Sequence, residues 1–413
     1  MAEFKPASTA IISGIGIVSP WGSGLEPFTR ALAENANAVR PLTRFPVKDW
    51  CTARLAATVP DFSLEELTQN PKESSRAWPL FRLAWAATHL ALQDAGLRSD
   101  GTWQERTGIF VGMSRFIVDY LEFLLERMLF GRIPEILPLR IEKVHPHGIS
   151  GQLSYLYKIV GPTLTFAAGS LSATQALEAA LTYLDLSLID RAVIISSDTI
   201  SPFWFHAEAA AGTLTSENDP GQAPRPYDRK ADGTVLGEGA VALILEREAD
   251  ARARGANIRA RIVSLDSITE PFSANPSLTK GQPMLLAPLF QSFKLSEIDL
   301  VYADGRGIRH WDLAESRGIH QALGNSVDRV PITCVQGSTG YTGGTSFFFQ
   351  IVSAAQSLAS GEIPAIRNLE NPVSEEKLDY VKGKARFSKI EEVVVLAHGD
   401  NRNHHALVLR RNG

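Results

Sequence analysis

An internal repetition limits the folds open to this chain more than any other pattern in it. Residues 162–198 are typical of a strand, a turn of small residues, an apolar helix and a second strand, and residues 330–400 repeat that order about 170 residues later. Such a repeat indicates two similar halves. We place the boundary near the segment ARGAN, residues 253–257, which predicts an N-terminal half, 1–255, and a C-terminal half, 256–413.

Short β-branched segments alternate with longer helical segments along the chain. Residues 191–198, RAVIISSD, are typical of a buried strand, and residues 80–96 are typical of a helix that ends at Gly96. Strands that alternate with helices predict an α/β protein whose sheets are covered by helices.

The helix predicted after Ser170 is apolar on nearly every side. Its main apolar stripe consists of Ala173, Leu177, Ala180, Leu181 and Leu184. The opposite side carries Ala176, Ala179 and few charges. A helix without a polar face is expected to lie buried between two layers.

The composition excludes several classes of protein. The chain has 413 residues, 44% hydrophobic and 21% charged, with a formal net charge of -4. A charge so near neutral, with scattered basic residues, does not indicate a nucleic-acid or anionic-membrane partner. No signal peptide and no apolar run long enough for a membrane span is recognised, and two cysteines do not suggest a disulfide framework. We therefore expect a cytoplasmic protein.

The segment FAAGSLSATQ, residues 166–175, places Ser170 on a turn between a strand and a helix. Free N–H groups at a helix N-terminus stabilise negative charge, so this is a suitable place for a nucleophile. Neither Cys51 nor Cys334 is predicted on such a turn, and Cys334 is typical of a buried strand. Metal-ligand spacing and a dinucleotide-binding glycine motif are not recognised either.

Several longer motifs carry a resemblance to a known family. They are IISGIGIVSPWGSG near the N-terminus, RPYDRKADGTVLGEGAVALILE at 225–246, AESRGIHQALG, and ALVLRR near the C-terminus. The chain resembles a β-ketoacyl synthase of the thiolase fold, the condensing enzyme of fatty-acid and type II polyketide assembly, over nearly its whole length. The resemblance implies two βαβαβαββ halves stacked in five αβαβα layers, and an obligate dimer.

The chain departs from the family at the residues that carry out condensation. The family uses a cysteine, two histidines and a lysine; the matching positions here hold Ser170, Asp304, Tyr341 and Gln336, in that order. The glycine-rich gate of the family aligns with residues 398–403, which do not resemble it. A serine hydroxyl needs a positioned base, and an ionised aspartate would oppose the charge of an enolate. No catalytic residue, cofactor or metal is therefore expected.

Such a degenerate ketosynthase resembles the chain-length factor of type II polyketide systems. That resemblance implies a heterodimer with an active ketosynthase, whose acyl tunnel this subunit would complete. It also implies action on an acyl carrier protein, loaded through its phosphopantetheine arm, by way of the partner. Aryl polyene and aromatic polyketide pathways both remain open, as do the substrate and the product length.

The helix predicted within residues 115–129 is where the resemblance places the dimer interface and the tunnel wall. Phe116, Tyr120 and Leu124 are spaced to share one face, and Phe123 lies beside them. These side chains either form plain interface core or cap the tunnel of the partner.

Two alternatives remain open at this point. One is a serine acyltransferase or hydrolase that uses Ser170 with a histidine, for which His145, His147 and His398 are the candidates. The other is a binding or regulatory homodimer with no ketosynthase partner. Association with an intact ketosynthase distinguishes both from a chain-length factor.

Overall fold

The structure is a computed structural model that describes residues 10–97, 106–115, 118–132, 145–270, 283–291, 293, 297–400 and 402–412. Its strands are β1 Ala10–Ser19, β2 Gly22–Ser23, β3 Arg40–Pro41, β4 Leu55–Ala57, β5 Thr107–Gly112, β6 Thr163–Phe166, β7 Arg191–Asp198, β8 Leu236–Gly237, β9 Gly239–Arg247, β10 Ala260–Thr269, β11 Leu300–Tyr302, β12 Pro331–Thr333, β13 Glu362–Ile363, β14 Asp379–Tyr380, β15 Arg386–Phe387, β16 Glu392–His398 and β17 Asn403–Arg410.

The helices follow the predicted alternation with these strands. They are α1 Leu25–Ala33, α2 Leu64–Thr68, α3 Pro71–Ser74, α4 Pro79–Asp94, α5 Val118–Leu129, α6 Gly148–Tyr157, α7 Ser172–Asp185, α8 Pro202–Ala210, α9 Glu248–Ala253, α10 Ala287–Phe290, α11 Arg309–Leu323, α12 Gln336–Thr339 and α13 Thr345–Ser360. Short 3-10 turns cover Gly169–Leu171 and Gly324–Ser326.

The strand order shows that the chain contains the same unit twice. In the first half-sheet the order is β1, β9, β7, β5, β6, with two antiparallel pairings followed by two parallel ones. In the second it is β10, β17, β16, β11, β12, with the same sequence of directions, and β14 extends it. The repetition predicted from sequence is therefore present in the strand topology. The division of the chain at 255 and 256 remains a proposal, which this topology supports.

The two halves even share an irregularity. The pairing of β1 shifts register between Ile12 and Gly14, and the pairing of β10 shifts between Ile262 and Ser264. Both shifts begin at the third residue of the strand. A β-bulge adds local twist, and its occurrence at matching positions gives both half-sheets the same local distortion.

The helices α7 and α13 form the layer between the two half-sheets. The core around them takes alternate residues of each strand: Ile194 of β7 and Val395 of β16 point toward it. The intervening residues point outward, as Val193 of β7 does toward α4 and α6, and Val394 of β16 toward α11. Strands with both faces covered are apolar throughout, which is why these segments lack polar alternation.

The resulting order of layers is α4 and α6, first half-sheet, α7 and α13, second half-sheet, α10 and α11. This confirms the thiolase-like αβαβα fold predicted from the resemblance. The five residues predicted for the main stripe of α7 are all at most 1% exposed, so the predicted burial of that helix is also confirmed. No helix within the described ranges is both long and apolar enough to cross a membrane.

Candidate functional site

The residues predicted to face the reaction centre follow the ends of parallel strands. Ser170 follows β6, Asp304 follows β11, and Gln336 and Tyr341 follow β12. His398 is the last residue of β16. The carboxyl ends of parallel strands lie at one edge of a sheet, where the connecting loops build the sites of α/β proteins. This arrangement gathers all four degenerate positions into one region.

Ser170 lies on the turn predicted for it, immediately before α7. Gly169 has φ +59°, a left-handed conformation that glycine adopts without strain. A Cβ at Gly112 would lie 2.4 Å from the carbonyl oxygen of Ser172, so a glycine in β5 lets the start of α7 approach the sheet. The turn therefore keeps the backbone shape that would present a nucleophile.

The Ser170 hydroxyl has no base as a partner. Its Oγ donates a hydrogen bond to the carbonyl oxygen of His398 at 3.1 Å. Both ring nitrogens of His398 contact other side chains instead. His145 and His147 are exposed and stack on each other, with ring centroids 5.5 Å apart. Among the described residues, then, none of the imidazole rings of these candidate histidines bonds to the Ser170 hydroxyl.

The guanidinium of Arg306 lies at the centre of this region. Its Nε donates to Asp304 at 2.7 Å, and its Nη1 donates to Asp400 at 2.7 Å. Its Nη2 donates to the carbonyl oxygen of His398, the same atom that accepts from Ser170. Arg306 is only 4% exposed. Its side chain thus takes up space beside the nucleophile position.

Two aromatic rings lie against Arg306. Its guanidinium carbon is 4.0 Å from the ring centroid of Trp311 and 4.7 Å from that of Tyr341. Such contacts are favourable for a cation that has lost its water. Tyr341, which stands where the family resemblance implies a histidine, therefore packs on a buried cation. Burial raises the pKa of its hydroxyl, although Arg306 opposes part of that rise.

Asp304 and Gln336 are buried beside this arginine. Burial raises the pKa of Asp304, and the charge of Arg306 offsets part of the rise. The Nε2 atom of Gln336 is 3.4 Å from a carboxylate oxygen of Asp304, a weak hydrogen bond at most. With the Gln350 amide turned to donate to the carbonyls of Ala303 and Tyr302, its oxygen accepts from Gln336 at 2.7 Å.

Behind Arg306, Glu315 accepts hydrogen bonds at both of its oxygens. The backbone N–H groups of Asp304 and Gly305 donate to it at 2.7 and 3.0 Å, and the Tyr227 hydroxyl donates at 2.7 Å. His398 Nε2 lies 3.0 Å from the same carboxylate. Burial alone would raise the pKa of Glu315, but His398 and the hydroxyl of Tyr227 overcome it and lower the pKa.

Sequence reasoning missed Arg306 and Glu315. The available signal for Arg306 was its place in DGRGI, where a long cation between two glycines follows a buried strand. The available signal for Glu315 was an acidic residue among apolar positions of a helix, where burial requires a partner. Neither signal identifies that partner, because His398 lies 83 residues away along the chain.

Cys334 lies on the turn between β12 and the short helix α12, so the prediction that it lies on a strand and not on such a turn is wrong, although it is buried as expected. Cys334 directly follows β12 and is 2% exposed, and Cys51 is equally buried. Burial raises the pKa of Cys334 well above its usual range, so its thiol is not activated. Within the described parts of the chain, no group of three or more His, Cys, Asp or Glu side chains is arranged to hold a metal ion.

The predicted tunnel residues lie on a different part of the molecule. Phe116 is outside the described residues. Tyr120 and Leu124 are 7% and 9% exposed and belong to the core formed with α4 and α6. Phe123 is only partly buried at the margin of that core, with the guanidinium of Arg127 4.8 Å from its ring centroid. Their assignment to an interface or tunnel remains a prediction.

The exposed side of α5 carries other apolar residues. Leu125, Met128 and Leu129 are more than half exposed, and Phe130 follows directly after the helix. A groove of about 610 Å³ lies nearby, where Phe203 donates its backbone N–H to Glu122 of α5. None of the degenerate positions lines this groove.

Comparisons with known proteins agree with this geometry. Residues 8–251 match the family described as beta-ketoacyl synthase, N-terminal domain, and residues 258–370 match beta-ketoacyl synthase, C-terminal domain. The oxytetracycline polyketide putative beta-ketoacyl synthase 1 of Streptomyces rimosus is 28% identical over 429 aligned positions, which cover 100% of this chain and 99% of that relative.

Two solved structures show the same fold. A beta-ketoacyl synthase from Burkholderia phymatum superposes with a TM-score of 0.89 at 25% identity, covering 98% of this chain and all of that one. The ishigamide ketosynthase/chain length factor superposes with a TM-score of 0.82 at 23% identity, with the same coverage. The two family matches cover most of the chain, which therefore belongs to the beta-ketoacyl synthase family.

Proposed function

We propose that this chain is a non-catalytic ketosynthase-like subunit, a chain-length factor. It pairs with an active β-ketoacyl synthase and shapes the acyl tunnel of that partner during carrier-protein-dependent carbon–carbon condensation. The observation that carries the proposal is Arg306, which lies among the four degenerate positions and is fixed there by Asp304, Asp400 and the carbonyl of His398.

The chemistry of condensation supports the same conclusion. Acyl transfer needs an activated nucleophile, and the enolate that follows needs donors aimed at its oxygen. Here the Ser170 proton is donated to a carbonyl, and the guanidinium donors of Arg306 are directed at two carboxylates and that same carbonyl. The groups available at this site therefore bind one another rather than a thioester.

The surface supports association with a second subunit. Among the described strands, β6 has β5 as its single neighbour, so its other edge presents unpaired N–H and C=O groups. The apolar side chains on the exposed side of α5 add hydrophobic surface that contact with a partner would cover. We propose that the active ketosynthase binds there, and that acyl carrier protein delivers its phosphopantetheine-bound chain to that partner in the cytoplasm.

Co-expression tests the assembly directly. Together with an intact ketosynthase encoded beside it, this chain should purify as a 1:1 complex, and alone it should be poorly soluble or weakly associated. Leu129→Glu on the exposed side of α5 should weaken that complex, whereas Phe387→Glu at a similarly exposed position should not. A stable homodimer that ignores the ketosynthase would contradict the proposal.

Product length tests the tunnel. Phe123 is the best described candidate for a cap, because Tyr120 and Leu124 are already covered by this chain's own core. Phe123→Ala should let the reconstituted complex make longer chains with assembly little changed. Leu121→Ala, which trims a partly buried residue elsewhere on α5, serves as the matched control. Unchanged product lengths in an intact complex would place the length limit elsewhere.

The alternative is a serine acyltransferase or hydrolase on the same scaffold. The strand–turn–helix position of Ser170 favours it, and the lack of a bonded base in the described structure counts against it. An acyl group found on Ser170 by mass spectrometry would establish this alternative.

A further inference from the structure

Four side chains form a continuous hydrogen-bonded chain behind the candidate site. His398 Nε2 is 3.0 Å from Glu315 Oε1, His398 Nδ1 is 3.0 Å from His404 Nδ1, and His404 Nε2 is 3.0 Å from Glu270 Oε1. Both imidazole side chains are fully buried. The chain runs from α11 through the ends of β16 and β17 to the residue after β10.

The geometry of these hydrogen bonds fixes the number of protons that the four side chains share. Three hydrogen bonds join four groups, and each bond needs one proton. A neutral imidazole carries one N–H, so two neutral rings supply two protons, which is one too few. All three hydrogen bonds can form only if the four side chains hold a third proton, either on a ring or on a carboxyl group.

The surroundings of the two carboxylates place that proton on the rings. Glu315 accepts from the backbone of Asp304 and Gly305 and from a tyrosine hydroxyl, and such donors favour the ionised carboxylate. Glu270 also accepts the backbone N–H of Leu285 at 2.7 Å. Burial would raise the pKa of Glu270, but His404 and this N–H lower it.

No other charged group among the described residues can replace the missing proton between the two rings, although the charge of Arg402 also lowers the pKa of Glu270. Arg306 is bonded to Asp304 and Asp400, and no hydrogen bond joins it to Glu315 in the described structure. Burial lowers the pKa of His405 to about 4, so that ring is neutral. Gln336 carries no charge where the family resemblance implies a lysine.

The two rings of the pair have different surroundings. Burial, together with the charge of His398, lowers the pKa of His404, although Glu270 opposes this. His398 lies against Glu315, the carboxylate with more donors around it. The 3.0 Å between the two Nδ1 atoms leaves room for one proton between them.

We propose that His398 and His404 share a single proton between their Nδ1 atoms. The four groups then carry three protons and a net charge of -1, and the pair supplies the buried positive charge beside Glu315. His404 acts as a positioning residue: it fixes the ring of His398, whose carbonyl accepts from both Ser170 and Arg306. This inference concerns charge inside the subunit and holds whether or not the subunit is a chain-length factor.

A metal ion between the two Nδ1 atoms is the alternative to a shared proton. Carboxylates bonded to the far nitrogens, with the near nitrogens converging, are also an arrangement found around metals. Two imidazole nitrogens bound to zinc at about 2.0–2.1 Å in tetrahedral geometry lie roughly 3.4 Å apart. The observed 3.0 Å fits an N–H···N hydrogen bond instead.

Nitrogen NMR of the full chain, with ¹⁵N-labelled histidine and in complex with its partner if it requires one, tests the proposal. At neutral pH both Nε2 atoms should be protonated, and one strongly downfield proton should couple to both Nδ1 atoms. His404→Phe, which keeps an aromatic ring but removes the acceptor, should abolish that resonance. His405→Phe should leave the resonance unchanged. His405 follows His404 in the sequence, and its Nδ1 has no hydrogen-bond partner in the described structure.

Each outcome decides the question. Two neutral rings in the wild-type protein would overturn the proposal, and so would one equivalent of bound metal in elemental analysis. The wild-type spectrum is sufficient by itself if His404→Phe fails to fold. A shared-proton resonance that survives in folded His404→Phe would also overturn the assignment.

Discussion

The last residues of β7 and β16 occupy matching positions in the two halves but carry opposite kinds of side chain. Asp198 ends β7 and pairs across the ladder with Gly239, and His398 ends β16 and pairs with His404. Both are buried. One is an acid surrounded by donors, and the other is a base between an acid and a second base.

Asp198 connects the two halves through its hydrogen bonds. Its carboxylate accepts from the backbone and hydroxyl of Ser114, from the backbone of Arg115, and from the backbone and hydroxyl of Thr345 at the start of α13, all at 2.7–3.3 Å. Burial raises the pKa of Asp198, and Arg115 and these donors oppose the rise. The carboxylate therefore fixes the loop after β5 and the helix that begins beside it.

His398, at the matching strand end, makes a different set of contacts. Its ring bonds to Glu315 and His404, and its carbonyl holds Ser170 and Arg306. The first half contributes the backbone turn at Ser170, whereas the second half contributes the charged groups around it. The end of β7 therefore bonds to backbone segments of both halves, whereas the end of β16 bonds to the charged groups beside Ser170.

The largest expected effect comes from removing the scaffold carboxylate. Asp198→Ala would leave several buried N–H groups without an acceptor, which should lower the free energy of unfolding by about 5 kcal/mol. Chemical denaturation of the purified complex measures this. Ser197→Ala, which removes a single hydrogen bond to the carbonyl of Leu80, should cost about 1 kcal/mol. Equal effects of the two substitutions would contradict this structural role of Asp198.

A smaller effect is expected from removing the cation at the site. Arg306→Ala leaves Asp304 buried without its partner, so the free energy of unfolding should fall by about 3 kcal/mol. Folded complex should nevertheless keep its condensing activity, because the proposed role of Arg306 is to fill this subunit's own site. Arg309→Ala, an exposed arginine at the start of α11, is the control. A folded Arg306→Ala complex without activity would contradict that role.

His405, which follows His404 in the sequence, is expected to make the free energy of unfolding depend on pH. Burial lowers the pKa of His405 to about 4, below its unfolded value of about 6.5. The unfolded chain therefore binds more protons between these values, and the free energy of unfolding should fall by about 2–3 kcal/mol as the pH drops from 6.5 to 4. His405→Phe should remove this part of the slope, as denaturation at several pH values would show. An unchanged slope would mean that other groups cause the acid sensitivity.

Much of the fold followed from sequence because local patterns determine it. The apolar stripe of α7 and the glycine-containing turn before Ser170 are contained in short segments, and the repeat required only that two such segments be compared. Strand order was accessible through the family resemblance, since loops alone do not state which strands become neighbours.

The contents of the site could not be read in the same way. Arg306, Glu315 and His398 come from three separate parts of the second half, and the hydrogen bonds that His398 makes with the other two exist only after that half has folded. Helical periodicity did place Tyr120 and Leu124 on the same face of α5, and both are buried. Periodicity identifies a face but not the surface that covers it, and here that surface belongs to the chain's own core.

The smallest effect is expected at Ser170, which we propose performs no chemistry. Ser170→Ala removes the hydrogen bond to the carbonyl of His398 and an interaction with the Tyr341 hydroxyl, at a cost of about 1 kcal/mol. Condensing activity of the purified complex with the active ketosynthase is the direct measurement, with the nucleophile of the partner replaced in a parallel sample as the control. We expect nearly full activity for Ser170→Ala and none for the control. Near-complete loss of activity in folded Ser170→Ala complex would contradict that expectation.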